Sequence, residues 1–148
     1  MKICLASDHA GFALKEIIRT YLEEKGYTIT DFGCFNTEPI DYVDTGLLAA
    51  EHVAMQKSDF GVLICGTGQG MNIIANKVKG IRAALCHTKQ FAQLARMHNN
   101  ANILVLAGRF IDQHAAIDVV DAFLNEPFSD EIRHFNRIEK INKYESVT

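Results

Sequence analysis

The sequence predicts an α/β fold, a Rossmann-like three-layer α/β/α sandwich with a five-stranded parallel sheet and an added C-terminal helix. Short apolar runs of strand length alternate with segments of helical periodicity along the chain. Such alternation is typical of parallel strands joined by crossover helices on both faces of a sheet. No repeat, low-complexity segment or linker interrupts the pattern, so we expect residues 1–148 to form a single domain.

The first half of the chain contains three predicted strands, each a short run rich in apolar and β-favouring residues. These strands are Lys2–Ser7, Tyr27–Phe32 and Phe60–Cys65. Apolar residues spaced three or four apart predict the helices between them, and Gly26 ends the first helix. The predicted helices are Phe12–Lys25, Tyr42–Gln56 and one that begins at Met71, while residues 33–41 form a loop.

The second half continues the alternation and then departs from it. Its predicted elements are the strands Ile81–Leu85 and Ile103–Leu106 and the helices Lys89–Met97 and Gln113–Asn125. Pro127 ends the fifth α/β unit, and a last helix, about residues 129–144, begins at Ser129 or Asp130. One side of this helix is apolar and needs a cover, which a neighbouring subunit could supply. That side carries Ile132, Phe135, Ile138 and Ile141.

Composition narrows the classes of protein to consider. A net charge of -3 gives no reason to expect a nucleic acid or an acidic membrane as partner. No apolar run is long enough to cross a bilayer, and Met1 leads into a predicted strand without a signal peptide. The cysteines at positions 4, 34, 65 and 86 are widely spaced, which predicts free thiols in a reducing cytoplasm.

Charge is distributed unevenly along the chain. Residues 60–111 contain no Asp or Glu, yet they carry Lys77, Lys79, Arg82, Lys89, Arg96 and Arg109. A segment of this kind suits a small anionic ligand, and it also fits a solvated basic face.

A glycine loop at the centre of this segment is the main candidate for a functional site. The strand ending at Cys65 is followed by Gly66-Thr67-Gly68-Gln69-Gly70 and then by a helix. This arrangement points backbone N–H groups and a helix N-terminus at one spot, which favours a phosphate or a negative charge formed during a reaction. The same dipoles stabilise a thiolate. We interpret Cys65 as a nucleophile or base beside an anion hole, although a purely structural role also fits one cysteine and one glycine loop.

The loop does not match the common nucleotide-binding motifs. Its spacing is G-x-G-x-G, and no acidic residue follows at the distance needed to hold a ribose. No Gly-Lys-Ser/Thr follows either, so neither NAD nor ATP is expected.

Polar residues follow several of the predicted strands, at the edge where parallel sheets bind ligands. Asp8 and His9 follow the first strand, Cys65 ends the third and Arg109 follows the fifth. Their convergence predicts a site at this edge. Cys86 and His87 follow the fourth strand and fit the core and rim or a place beside substrate, whereas His98 precedes the fifth strand and is expected at the opposite edge unless its helix overruns.

The last predicted helix carries a stripe of cations. Arg133, Arg137 and Lys140 lie at i, i+4 and i+7, which fits a solvated basic face or a pair of arginines for a phosphate. His134 lies between the arginines and is expected to face outward.

Several motifs together resemble the ribose-5-phosphate isomerase B / galactose-6-phosphate isomerase family over essentially the whole chain. They are S-D-H-A-G at 7–11, D-Y at 41–42, I-C-G-T-G-Q-G at 64–70, A-N-K at 75–77, G-I-R-A at 80–83, R-M-H-N at 96–99, A-N-I-L at 101–104 and R-H-F-N-R at 133–137. The resemblance implies aldose–ketose isomerisation of a phosphorylated sugar without a metal or other cofactor. It also implies a homodimer, or a dimer of dimers, with sites at the subunit interface.

The resemblance assigns roles residue by residue. Cys65 matches the base that moves a proton between C1 and C2, His98 matches the residue that opens the sugar ring, and Thr67 would hydrogen-bond the thiol or the substrate. The anion hole for the enediolate matches Gly66, Gly68, Gln69 and Gly70. Substrate-contacting positions match Asp8, His9, Tyr42, Asn99 and Arg109, with His9, Arg133 and Arg137 at the phosphate.

Some positions depart from the family pattern. Val43 and Asn100 replace the usual Pro and Asp, and the shifted motif around Arg109 leaves the role of this arginine open. Met71 stands where members without the cysteine carry a Glu, so the chain fits the cysteine type. Ribose 5-phosphate is the expected substrate. A six-carbon aldose 6-phosphate, such as allose or galactose 6-phosphate, and a non-catalytic phosphosugar-binding module are the alternatives.

Overall fold

A computed structural model describes residues 1–147 of the chain. Within this range the strands are β1 (Lys2–Ser7), β2 (Thr28–Asp31), β3 (Phe60–Cys65), β4 (Ala83–Leu85) and β5 (Ile103–Ala107). All pairings are parallel, and the strands form one sheet in the order β2-β1-β3-β5-β4. The predicted five-stranded parallel sheet is therefore confirmed.

Helices cover both faces of the sheet. They are α1 (Phe12–Glu24), α2 (Tyr42–Ala54), α3 (Gln69–Ala75), α4 (Lys89–Asn99), α5 (Gln113–Asn125) and α6 (Ile132–Val147). None of these helices, within residues 1–147, is both long and apolar enough to span a membrane.

The three central strands form the buried middle of the molecule. Strand β3 lies between β1 and β5, with Val62 opposite Leu5 on one side and Leu104 on the other. All three of these side chains are fully buried. Helices cover both faces of the sheet, so the side chains on both sides of a central strand are shielded from solvent. Such a strand consists of consecutive apolar residues, which is the pattern that predicted these strands.

The direction of the chain across the sheet decides which face each helix covers. The chain moves one way through α1 and α4 and the opposite way through α2 and α3. Right-handed crossovers then place these two pairs on opposite faces. One core includes Ile18 of α1, Ala92 of α4 and Phe123 of α5. The other includes Ala49 of α2 and Met71 of α3.

Several predicted boundaries were wrong, for local reasons. Helix α3 begins at Gln69, two residues before the predicted Met71, because Gly68 adopts φ +76 and turns the chain directly into the helix. Strands β2 and β4 are shorter than predicted, since each is an edge strand paired on only one side. Helix α6 begins at Ile132 and leaves Ser129 and Asp130 outside it.

Helix α4 extends two residues beyond its predicted end. Its cap is Asn100, in the left-handed region with φ +45. The buried guanidinium of Arg96 donates to Asn100 Oδ1 at 2.9 Å and to the Ala101 carbonyl at 2.6 Å, which holds this last turn closed. His98 and Asn99 therefore lie on the helix rather than in a loop.

Helix α6 packs against α4, and most of its predicted apolar side remains exposed. Ile138 is 7% exposed, whereas Ile132, Phe135 and Ile141 are 71%, 52% and 43% exposed. The exposed face of α6 therefore carries more apolar surface than the solvent-facing side of a helix usually does.

Candidate active site

A cleft of about 270 Å³ opens at the carboxyl edge of the sheet, where β1 and β3 end side by side. The chain reverses its direction across the sheet at this point, and α/β folds bind ligands in such crevices. We call it the strand-end cleft. It is lined by Asp8, His9, Ala10, Tyr42, Cys65, Gly66, Thr67, Gly70 and Arg109.

Cys65 lies at the floor of the strand-end cleft. It is the last residue of β3, is 4% exposed, and pairs in register with Ala107 of β5. Its carbonyl accepts the N–H of Gly108 at 2.8 Å, and the Gly66 carbonyl accepts the N–H of Arg109 at 3.0 Å. These two hydrogen bonds continue the β3–β5 ladder beyond the strands, so the backbone that carries the thiol is held in place.

Two positions of the loop require glycine because neighbouring side chains lie too close for a Cβ atom. A Cβ on Gly68 would lie 2.4 Å from Leu85 Cδ1, and one on Gly70 would lie 2.6 Å from Cζ of Tyr42. The Tyr42 ring therefore rests directly on the start of α3. Thr67 Oγ1 accepts the N–H of Gln69 at 3.3 Å, which ties the loop to the first turn of the helix.

The residues after β1 form the opposite wall of the cleft. One oxygen of the Asp8 carboxyl accepts the N–H of Gly11 at 3.0 Å. His9 Nδ1 accepts the N–H of Ile40 at 3.3 Å. An amide nitrogen can only donate here, so a neutral His9 carries its proton on Nε2. His9 can thus donate a hydrogen bond to an anion in the cleft.

A buried ion pair holds the end of β1 in place. Lys15 of α1 is fully buried, and its ammonium contacts the carboxylates of Asp31 and Glu16. Asp31 also accepts the N–H of Gly33 at 2.8 Å, and the Gly33 carbonyl accepts the N–H of Ser7, the last residue of β1. The ion pair therefore supports the backbone from which the cleft residues Asp8 and His9 follow.

The guanidinium of Arg109 lies across the glycine loop. A Cβ on Gly66 would be 3.3 Å from Nη1 of Arg109, so the side chain packs on the loop backbone. Arg109 follows β5, is exposed, and lines the cleft despite the shifted motif around it. It brings a positive charge to a cleft that contains a thiol and a carboxylate.

Four predicted site residues lie elsewhere. We call them the α4–α6 group: His98 and Asn99 end α4, and Arg133 and Arg137 lie on α6. Since α4 runs back against the strands, its end lies at the amino edge of the sheet, and none of the four lines the strand-end cleft.

A larger cleft lies beside the α4–α6 group. Its volume is about 550 Å³, and it is lined by Asn99 together with Asn76, Lys77, Lys79, Ile81, Arg82, Ala83, Ile141, Tyr144 and Glu145. We do not place the reaction there, because it contains neither a thiol nor a glycine loop. Arg133 is exposed and donates to Glu131 at 2.6 Å. The charge of Arg133 therefore lies at the protein surface.

Comparisons with known proteins agree on one family. Residues 3–141 match the family model described as Ribose/Galactose Isomerase. The chain belongs to this family. A probable ribose-5-phosphate isomerase B of Mycoplasma genitalium is 44% identical, with 99% of this chain and 97% of that protein covered. A ribose-5-phosphate isomerase B of Mycolicibacterium paratuberculosis is 40% identical, with 98% and 92% covered.

Solved structures of the ribose/galactose isomerase family have the same fold. Ribose-5-phosphate isomerase B of Clostridium thermocellum superposes with a TM-score of 0.96 at 45% identity, covering 99% of both chains. The Mycoplasma genitalium enzyme, solved with bound ribulose-5-phosphate, gives 0.94 at 44% identity, covering 99% of this chain and 97% of that one.

The other cysteines of this family member lie outside the strand-end cleft. Cys4, Cys34 and Cys86 are buried. Burial raises the pKa of Cys4 to about 12 and that of Cys86 to about 11, so both thiols stay protonated near neutral pH. Cys65 is thus the one cysteine that lines the cleft.

His134 is the residue that sequence analysis placed wrongly. It is 2% exposed rather than outward-facing, and its ring centroid lies 4.3 Å from that of His98. Burial lowers the pKa of His134, and the neighbouring His98 lowers it further. The signal was present in the sequence, because His134 lies four residues before Ile138 and therefore shares its buried face.

Proposed function

We propose that this protein is an aldose–ketose isomerase that interconverts ribose 5-phosphate and ribulose 5-phosphate through a cis-enediolate. The observation that carries the proposal is the position of Cys65, a nearly buried thiol between a strand end and a glycine loop. The named relatives support the same reaction. Six-carbon aldose 6-phosphates remain the nearest alternative substrates.

Cys65 is proposed as the base of the isomerisation. As thiolate it takes the proton from C2 of the open-chain aldose and delivers it to C1, while the proton on O2 passes to O1, which gives the ketose. The intermediate carries a developing negative charge on oxygen, and preorganised backbone N–H donors stabilise such a charge. The Gly66–Gly70 loop supplies these donors, while Thr67 hydrogen-bonds the thiol or the sugar.

The ring of the sugar must open before C2 can lose its proton. His98 is proposed to move a proton from the C1 hydroxyl to the ring oxygen, a step that suits an imidazole because its ring nitrogens can both accept and donate a proton. Asp8, Tyr42 and Asn99 then hold the sugar hydroxyls. His9, Arg109, Arg133 and Arg137 are proposed to hold the phosphate, since guanidinium groups match its oxygens.

These roles require two subunits, because the α4–α6 group lies away from the strand-end cleft of its own chain. We propose a homodimer in which each α4–α6 group completes the partner's cleft. The exposed apolar residues of α6 fit a cover formed by the second copy. Leu48 of α2, Met55 directly after α2, and Ile73 of α3 are also more than half exposed. They offer a second apolar surface for the same contact.

Mixed dimers test the shared site. Chains with Cys65→Ala and chains with Arg133→Ala/Arg137→Ala are coexpressed with different tags, and heterodimers are isolated through both tags. The assay keeps ribose 5-phosphate well below the wild-type KM, and under this condition each parent homodimer should be nearly inactive, because Cys65→Ala removes the base and the double arginine variant raises KM. In the heterodimer, one site carries both lesions and the other carries none, so about half of the wild-type activity should return.

Two controls complete this experiment. A heterodimer of wild-type and Cys65→Ala chains should also show half activity, which verifies the preparation. If confirmed heterodimers of the two inactive chains stay inactive, each chain supplies its own arginines and the shared-site proposal is wrong.

An assay with a panel of substrates tests the reaction itself. Turnover of ribose 5-phosphate should exceed that of allose and galactose 6-phosphate, and the absence of turnover on all three would contradict the proposed activity. The four thiols, none of them in a disulfide, fit a reducing compartment, and we expect the enzyme in the cytoplasm.

A further inference from the structure

A pair of stacked histidines connects α4 to α6. The rings of His98 and His134 lie 4.3 Å apart between centroids and are tilted by 33°. The His134 side chain is nearly buried, whereas His98 is partly exposed at the end of its helix. His98 can therefore meet a ligand while His134 forms its inner support.

Ser129 links the same two helices. Its N–H donates to the Met97 carbonyl of α4, and its Oγ lies 2.6 Å from Nδ1 of His134. The same Oγ accepts the N–H of Glu131 at 3.4 Å. The hydroxyl can either donate to Nδ1 or accept from it, so Ser129 holds the His134 ring in place in both tautomers.

We propose that His134 is a positioning residue for His98, holding its imidazole in the orientation needed to open the sugar ring. The inference rests on the ring-opening role given to His98 in the proposed function. Its specific content is that the Ser129–His134 unit acts on that one step and leaves the proton transfer at Cys65 unaffected.

Charges around the pair support this division of roles. His134 faces His98 from α4, Glu131 from the segment before α6, and Arg133 and Arg137 from its own helix. Two imidazolium rings in contact repel each other, so the pair favours carrying no more than one charge. A buried neutral His134 leaves the partly exposed His98 as the member that exchanges protons with substrate.

The test compares a ring-forming substrate with one that cannot close. Ribose 5-phosphate is mostly cyclic, whereas 4-deoxyribose 5-phosphate has no hydroxyl from which to form a furanose ring. His134→Asn should lower kcat/KM for ribose 5-phosphate about tenfold or more. The same variant should change kcat/KM for the deoxy analogue by less than about twofold, because ring opening is bypassed.

Other variants separate positioning from folding. His134→Phe keeps a flat ring against His98 and should recover most of the activity that His134→Asn loses on ribose 5-phosphate. Ser129→Ala leaves His134 in place but frees its ring, and it should show a smaller loss with the same substrate preference. His114→Asn, on an exposed histidine of α5, should change neither substrate.

The outcomes distinguish this inference from the proposed function. His98→Ala is the reference, and an equal loss on both substrates would show that His98 does not open the ring. If His98→Ala is selective for the cyclic substrate but His134→Asn and Ser129→Ala are not, the positioning role is wrong while the proposed function stands. Should His134→Asn fail to fold, Ser129→Ala alone decides between these results.

Discussion

The strand-end cleft and the α4–α6 group differ in how the chain holds their side chains. Cleft residues such as Asp8 and Cys65 come directly from buried strands whose backbones are hydrogen-bonded on both sides. The arginines of the α4–α6 group project from an exposed helix, and Arg133 pairs with a neighbour on the surface. One region is organised within the chain, whereas the other would gain its surroundings only in the proposed homodimer.

This difference matches the chemistry proposed for each region. Proton transfer at carbon and stabilisation of an enediolate need donors fixed before the reaction, which the central sheet provides. Binding a phosphate needs charge and reach, and a surface arginine provides both. The carboxyl-edge rule for parallel sheets therefore locates the region proposed for the chemical step, and it misses the region proposed to bind from another subunit.

The largest effect should follow the loss of the thiol. Cys65→Ala should lower kcat/KM for ribose 5-phosphate by at least about a hundredfold, the usual contribution of a general base. Substrate should still bind, because the phosphate contacts remain, and calorimetry on the variant would measure this. Cys86→Ala is the matched control and should keep its activity.

A Cys65→Ala enzyme with nearly wild-type kcat would remove Cys65 as the base. The proposal that proton transfer takes place in the strand-end cleft would then be wrong.

The next effect concerns the rigidity of the cleft. Lys15→Met keeps the length of the side chain but leaves the Asp31 carboxylate without its buried partner, which should lower the free energy of unfolding by about 3 kcal/mol. Urea denaturation would measure the change. The matched control is Lys25→Met, which removes an exposed lysine 3.7 Å from Asp121 and should leave stability nearly unchanged.

Equal stability of the Lys15→Met and Lys25→Met variants would contradict the support that we assign to the buried pair. Lys15→Arg retains the charge and should recover part of the lost stability in the same denaturation experiment.

The smallest effect is expected in the α4–α6 group. Arg137→Ala should raise KM about tenfold, the equivalent of one charge-assisted hydrogen bond, while kcat changes little. Lys140→Ala removes a neighbouring cation of the same stripe and should leave KM unchanged. A fall in kcat without a change in KM for Arg137→Ala would instead indicate a role in the chemical step.

Sequence periodicity predicted the elements of the sheet well because central strands and amphipathic helices leave regular patterns. The bounds of Phe60–Cys65 and Gln113–Asn125 are those predicted. The predicted start of α3 was wrong because Gln69 and Gly70, the first two residues of the helix, are not apolar and add nothing to the helical periodicity. The helix starts where it does because Gly68 adopts a left-handed backbone conformation, and the pattern of apolar residues does not report backbone conformation.

The surroundings of the site were less accessible to sequence reasoning. The burial of His134 depends on how α6 docks against α4, a contact between elements about 30 residues apart. The support of β1 by Lys15 likewise depends on Asp31 arriving from a different strand. The spacing of residues along the chain predicts single helices and strands. It does not predict which side chains of different elements come into contact. The roles of the individual site residues remain predictions.

The order of strands in the sheet has a consequence for synthesis of the protein on the ribosome. β4 pairs only with β5, which lies between β4 and β3. β2, β1 and β3 can therefore assemble once about 65 residues have emerged, whereas β4 must wait for a strand made later. Until β5 arrives, the open edge of β3 offers unpaired backbone groups to other chains. We expect nascent chains that stall between β4 and β5 to be the form most prone to aggregate and most dependent on chaperones.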